Sequence, residues 1–323
     1  MGARPGAASR GTVVLPLTVA VPLVTAHMDA IARGLGLRCL AIKGPVADAQ
    51  TVRPAKSSTD GDLLCHPDDH RAMVQALEAE GWVSAEVDDR LGVFPQHSTT
   101  LAHPDWPCSV DVHHRYPGLG AQDMRTAFEV LWAERVEAEV AHTPVLAPSV
   151  PAHLVVTALT ALRAPWASQS KAMLAWLDHR WASDVEEFAG VLATARRLQA
   201  LPALRPLLES RGTPLNDAVD WASVGAPDRD WLLVTHAQQP GTLRLAQLVR
   251  APWRHKIGMA VAAVAPSSVA MRRSVPALGA AADPAEVRAA RRTRLVARLG
   301  DPLATLREYR TLRAELRRAG YRR

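Results

Sequence analysis

The residues most able to do chemistry are Asp60 and Asp62, in Thr59-Asp60-Gly61-Asp62-Leu63-Leu64, and Asp111, in Ser109-Val110-Asp111-Val112-His113. If Gly61 to Cys65 forms a strand, side chains alternate between its faces, so Asp60 and Asp62 project from the same side. Two carboxylates at that spacing cannot lie against an apolar core without a partner. A hard divalent cation suits them, because Mg²⁺ takes oxygen ligands and keeps positions open for phosphate oxygens. Asp111 follows the same alternation in a second strand-like run, with Val110 and Val112 turned the other way. Three carboxylates on two neighbouring strands can hold two cations roughly 3.5–4 Å apart, the arrangement of in-line phosphoryl chemistry. A lone Asp-x-Asp also marks turns and solvated strand ends, so the surrounding elements must decide.

Upstream, Leu40-Ala41-Ile42-Lys43-Gly44-Pro45 is a short apolar run ending in Lys-Gly, followed by a polar connector with Arg53 and Lys56. Downstream, Pro67-Asp68-Asp69-His70 opens a helix, with proline at a first helical position and acids in the first turn. That helix ends near Glu80-Gly81-Trp82. Gln96-His97-Ser98-Thr99-Thr100-Leu101 then precedes the strand of Asp111. Taken in order, these motifs resemble the nucleotidyltransferase superfamily of the polymerase-beta-like fold. More narrowly they resemble the bacterial nucleotidyltransferase family proteins, which carry Leu-Lys-Gly, an Arg-containing lead-in, Asp-Ile-Asp-Leu-Leu and a later Asp-x-His-Trp. The likeness spans Leu40 to Tyr116 well and the rest loosely.

The resemblance implies an α+β fold: a small mixed or antiparallel sheet flanked by helices, followed by a mostly α-helical C-terminal region. It implies a Mg²⁺-dependent transferase that moves a nucleoside monophosphate from an NTP, ATP for preference, to an acceptor with release of pyrophosphate. Asp60, Asp62 and Asp111 are the expected catalytic and metal-binding residues. Lys43, Gly44, Arg53, Lys56 and His113 are expected around the nucleotide, and Asp178 on a cleft-lining helix. Three departures stand out. Pro45 follows Gly44 where many relatives offer an N–H or hydroxyl to phosphate, which proline lacks. Gly61 replaces an aliphatic residue, which is expected to loosen the strand. His114 stands where the family has Trp.

The 323 residues can bury a full core, and a hydrophobic content of 48% fits a globular chain. Three cysteines without metal spacing point away from a disulfide framework and toward a reducing cytoplasm. Charge is divided: residues 1–150 hold 12 Lys+Arg against 18 Asp+Glu, and residues 151–323 hold 26 against 14. The basic half permits contact with nucleic acid or another polyanion, or simply solubilises an Ala/Leu-rich bundle. Val13 to Val24 with Arg4 and Arg10 imitates a secretory leader, but Pro16 and Pro22 break it, so a core helix is expected. No run reaches the roughly 20 apolar residues needed to span a bilayer.

The expected division is a disordered tail over 1–10, a nucleotidyltransferase-like unit over 11–147 and a helical unit with basic final helices over 148–323. Within it, an edge strand is expected between Val136 and Val145, a turn at Asp88-Asp89-Arg90 and a flexible link over Ala277 to Ala285. His66 and His70 are expected as a surface pair. Partners are an NTP and an acceptor that can be a small molecule, peptide or protein, with RNA unsupported by any motif. Two other functions stay open: a catalytically inactive nucleotide-binding or partner-binding module, and an RNA-associated protein using the basic helices.

Overall fold

The computed structural model describes residues 15–84, 97–120, 123–209, 219–236, 240–264, 285–286, 288–290, 292–293 and 302–321. The N-terminal tail, the turn at 88–90 and nearly all of the link over 277–285 fall outside them.

Five strands form one sheet: β1 (Cys39–Ile42), β2 (Asp60–Cys65), β3 (Val83–Ser84), β4 (Ser98–Ala102) and β5 (Ser109–His113), in the order β1-β2-β5-β4-β3. Only β2 and β5 run parallel; the other pairs are antiparallel. Strand alternation sorts the side chains into two layers. Cys39, Ala41, Leu63, Cys65, Val110 and Val112 pack with helices α1 (Leu17–Gly34) and α3 (His70–Ala79) on one face. Leu40, Ile42 and Leu64 join the core of the opposite face, which is covered by α5 (Val150–Leu162). Asp60, Asp62, Asp111 and His113 belong to that second face.

α1 begins after Pro16 and carries Pro22 inside it without ending. It explains Gly61. A Cβ at Gly61 would lie 2.8 Å from Met28 Cε and 3.0 Å from Val24 Cγ1, so α1 packs directly on the strand backbone. The residue therefore permits a close approach rather than loosening β2, correcting the expectation drawn from the sequence. Replacing it by the family's aliphatic residue, Gly61→Ile, is expected to overpack the layer and cost about 1–3 kcal/mol, because Met28 can move but Val24 cannot. A lowered urea midpoint at unchanged slope would register this; an unchanged midpoint would contradict it.

The expected edge strand is instead a separate hairpin, β6 (Val136–Val140) and β7 (Thr143–Ala147), following α4 (Met124–Ala133). Its anchor is Asp29 of α1, which accepts from the Leu146 N–H at 3.0 Å and from Arg33 Nε at 2.6 Å. Arg33 also donates to the Pro144 carbonyl at 3.2 Å, so the hairpin is tied to α1. α3 starts at His70, after a turn through Pro67, later than the sequence suggests. His66 is buried, not at the surface. Its Nδ1 accepts from Arg38 Nη2 at 2.9 Å and from the Asp68 N–H at 3.2 Å.

Beyond the hairpin the chain is helical. α5 is buried on nearly every side and packs against α6 (Ser168–Ser183), α7 (Val185–Arg197) and α8 (Leu201–Glu209). Short α2 (Gly44–Ala49) links β1 to the loop before β2. A smaller cluster around Leu233, Ala246 and Leu312 joins α9 (Arg229–Thr235), α10 (Pro240–Arg250) and the Arg-rich α12 (Pro302–Arg318), with α11 (Trp253–Val264) beside α10. Among the described residues no helix is long and apolar enough to cross a membrane.

Candidate active site

The site forms where β2 and β5 lie side by side. Their register sets Asp62 directly opposite Asp111 and Asp60 opposite Ser109. One ligand-type atom from each of Asp62, Asp111 and His113 falls within 4.8 Å of the others. Asp62 is buried, 5% exposed, and its Oδ1 accepts from Lys43 Nζ at 2.7 Å and from His113 Nε2 at 2.9 Å. Burial raises the Asp62 carboxyl, but the Lys43 charge and the His113 bond outweigh it, so the group is held below its ordinary value. Asp60 goes the other way: burial, then Asp62 and Asp111, raise it. Burial lowers His113 despite Asp62, which keeps the imidazole neutral with its proton on Nε2.

Asp111 Oδ1 is buried with no hydrogen-bond partner. An unsatisfied buried carboxylate oxygen is costly. Here it sits with a carboxylate oxygen of Asp62 and a ring nitrogen of His113, a donor set that suits a divalent cation. Asp60, expected with Asp62 and Asp111, is not in that group.

Lys43 ends β1 in an unusual conformation, φ 55° and ψ −151°, a region in which non-glycine residues are strained by about 1–3 kcal/mol. Gly44 follows at φ 44°. His153 of α5 holds this turn. It is fully buried; its Nε2 accepts from the Lys43 backbone N–H at 2.8 Å, and its Nδ1 donates to Gln50 Oε1 at 2.6 Å. Gln50 in turn donates to the Pro148 carbonyl at 2.8 Å. The Lys43 ammonium also lies 5.5 Å from the centre of the Tyr116 ring. Burial lowers this lysine, but Tyr116 and Asp62 raise it further, for a net upward shift.

A cleft of about 530 Å³ opens beside the carboxylates. One wall is Lys43, Gly44, Arg53, Lys56 and the Ser57-Ser58-Thr59 loop leading to Asp60. The other is Thr157, Thr160 and Ala161 of α5 with Gln169, Ser170 and Met173 of α6. Arg53 braces the first wall: it binds Asp48 at 2.8 and 3.0 Å, the Gly44 carbonyl at 3.0 Å and Ser58 Oγ at 3.0 Å. Lys56 is exposed on the cleft, and burial followed by the Arg53 charge lowers its ammonium. Asp178 lies exposed further along α6, away from these lining residues.

Sequence reasoning missed His153, Tyr116 and Arg163. His153 leaves one trace, a lone imidazole inside the apolar run Val150 to Leu162. Burial drives it down to about 3, against 6.5 in an open chain. Between those values the unfolded chain binds the proton and the folded one does not, so stability falls as pH drops through this window. At pH 5 the loss is about 2 kcal/mol from His153 alone. His97 and His114, pushed down to about 3 and about 4 by burial first, add to it, while the raised carboxyls of Asp29 and Asp60 oppose it. Urea midpoints at pH 7 and pH 5 measure the difference, and His153→Gln should flatten it.

No curated protein matches the chain. Among solved structures, the lincomycin-bound lincosamide antibiotic adenylyltransferase LnuA is similar at 15% identity and a TM-score of 0.30, over 42% of this chain and 82% of that one. The antibiotic-resistance factor ANT(2'')-Ia is similar at 16% identity and 0.33, over 63% and 98%. A tRNA nucleotidyltransferase complexed with a primer tRNA is similar at 13% identity and 0.25, over 90% and 98%. Residues 24–209, more than half of the sequence, match the family described as uncharacterised nucleotidyltransferase. The chain belongs to that nucleotidyltransferase family and is an enzyme.

Proposed function

We propose that the protein transfers a nucleoside monophosphate from an NTP, ATP for preference, to an acceptor and releases pyrophosphate. The observation that carries the reading is the pairing of Asp62 with Asp111 across parallel β2 and β5, with Asp60 beside them at the head of the cleft. Asp60, Asp62 and Asp111 would hold Mg²⁺, which when bound neutralises charge building on the phosphoryl oxygens. The chain's own groups do the rest. Lys43 and Lys56 supply positive charge on the cleft wall where the phosphates lie, and Gly44 lets the backbone come close to them. His113 fixes the Asp62 carboxylate from behind through Nε2–H. Asp111 faces the acceptor and orients its nucleophile. α5 and α6 close the far wall and shelter the nucleotide from water.

Pyrophosphate release from labelled ATP, GTP, CTP and UTP with Mg²⁺ and a panel of small-molecule, peptide, protein and RNA acceptors tests the proposal. Metal-dependent nucleotide binding with no product from any acceptor would favour a binding module without turnover, which the full engagement of Arg53 and the missing N–H of Pro45 support. A cytoplasmic location remains part of the proposal, drawn from three cysteines without metal spacing.

A further inference from the structure

Arg163, at the C-terminal end of α5, stands apart from the other arginines near the sheet. Arg38, Arg53, Arg115 and Arg180 each hold a carboxylate. Half-buried Arg163 has no carboxylate partner among the described residues; its Nη2 donates to His97 Nε2 at 3.4 Å, a long bond. The His97 ring lies 5.6 Å from that of His113, whose Nε2 binds Asp62, so the guanidinium is two side chains from the carboxylates. A half-buried guanidinium without a carboxylate beside it favours an anion supplied by a ligand.

Position decides which anion. Lys43 ends β1 on one side of the acidic pair, while His97 precedes β4, whose Ser98 pairs with His113 on the other. An in-line displacement puts the incoming nucleophile opposite the leaving group. With the phosphates on the Lys43–Gly44 wall, the acceptor enters from the β5–β4 side, where Arg163 waits. We propose that Arg163, steadied by His97, is an oxyanion subsite for the acceptor, which therefore carries a phosphate or carboxylate near its nucleophile. A planar guanidinium binds either oxyanion in bidentate fashion. This inference rests on the nucleotidyl-transfer reading above.

The test is calorimetric titration of inorganic phosphate, and separately of acetate, into protein saturated with Mg²⁺ and a non-hydrolysable ATP analogue. Wild type should bind one of the two, and the preferred ion distinguishes an acceptor phosphate from a carboxylate. Arg163→Ala should weaken that binding at least tenfold, Arg163→Lys should restore part of it, and analogue affinity should change less than twofold in both. Anion binding that is absent from wild type, or equal in wild type and Arg163→Ala, overturns the subsite. So does a tenfold loss of analogue affinity in Arg163→Ala, which would assign the guanidinium to the nucleotide's own phosphates. Failure of wild type to take up the analogue at all would count against nucleotidyl transfer itself, and the subsite would fall with it.

Discussion

Asp62→Asn is expected to reduce pyrophosphate release by roughly 10³-fold or more, about 4 kcal/mol of transition-state stabilisation. Asp62 is the one carboxylate that Lys43, His113 and the proposed cation all address through the same side chain. Asparagine keeps the shape and can still accept from His113, but it removes the charge on which the other two depend. Folding should survive. Lys43 loses a counter-ion, which is costly for a buried pair. However, the lysine side chain is 22% exposed and Asp60 and Asp111 are relieved of a like charge. These effects oppose one another, so the urea midpoint should move little. Stopped turnover with an intact melt is the expected pairing; wild-type turnover in this variant would remove the basis for the mechanism.

His153→Ala is expected to be the most damaging change outside the carboxylates. It empties a fully enclosed position and leaves the Lys43 N–H and Gln50 Oε1 without their partner. Together these should cost about 2–4 kcal/mol. The site would feel it as well. The strained turn at Lys43 persists only while something holds it, and release would carry the ammonium away from Asp62. Nucleotide affinity should fall about tenfold, the scale on which groups supporting a ligating residue act. A double-mutant cycle with Gln50→Leu separates packing from positioning. Coupling in the nucleotide affinity as well as in the melt is expected, and additivity in both would reduce His153 to a core residue.

Much of this architecture could be read before any coordinates, because alternation is a local rule. It placed Asp60 with Asp62 and set Asp111 on the face opposite Val110 and Val112. What alternation does not state is which neighbour a strand takes. Val136 to Val145 reads as a strand, but Asp29 and Arg33, more than a hundred residues earlier, help tie it to α1. Gly61 was misread for a similar reason: its cause is the depth at which Met28 and Val24 pack, which no motif encodes. His66 was assigned to the surface because its partners, Arg38 and the Asp68 amide, become visible only once β1 and β2 are joined. Lys43 was noted for its charge, yet its backbone strain and the helix that holds it were hidden, since His153 sits in an apolar stretch that resembles plain core. Arg163 was lost in the same way, ordinary in its own segment.

The parallel pairing of β2 with β5 has a consequence for assembly. No hairpin can bring such strands together; α3, β3 and β4 intervene in the chain, and β4 pairs with β5 in the same sheet. Loops of that length close late, after local structure has formed. The two halves of the acidic centre thus meet through a non-local contact and not within one hairpin. Amide hydrogens at Asp62 and Asp111 are expected to exchange together, through one opening that separates β2 from β5.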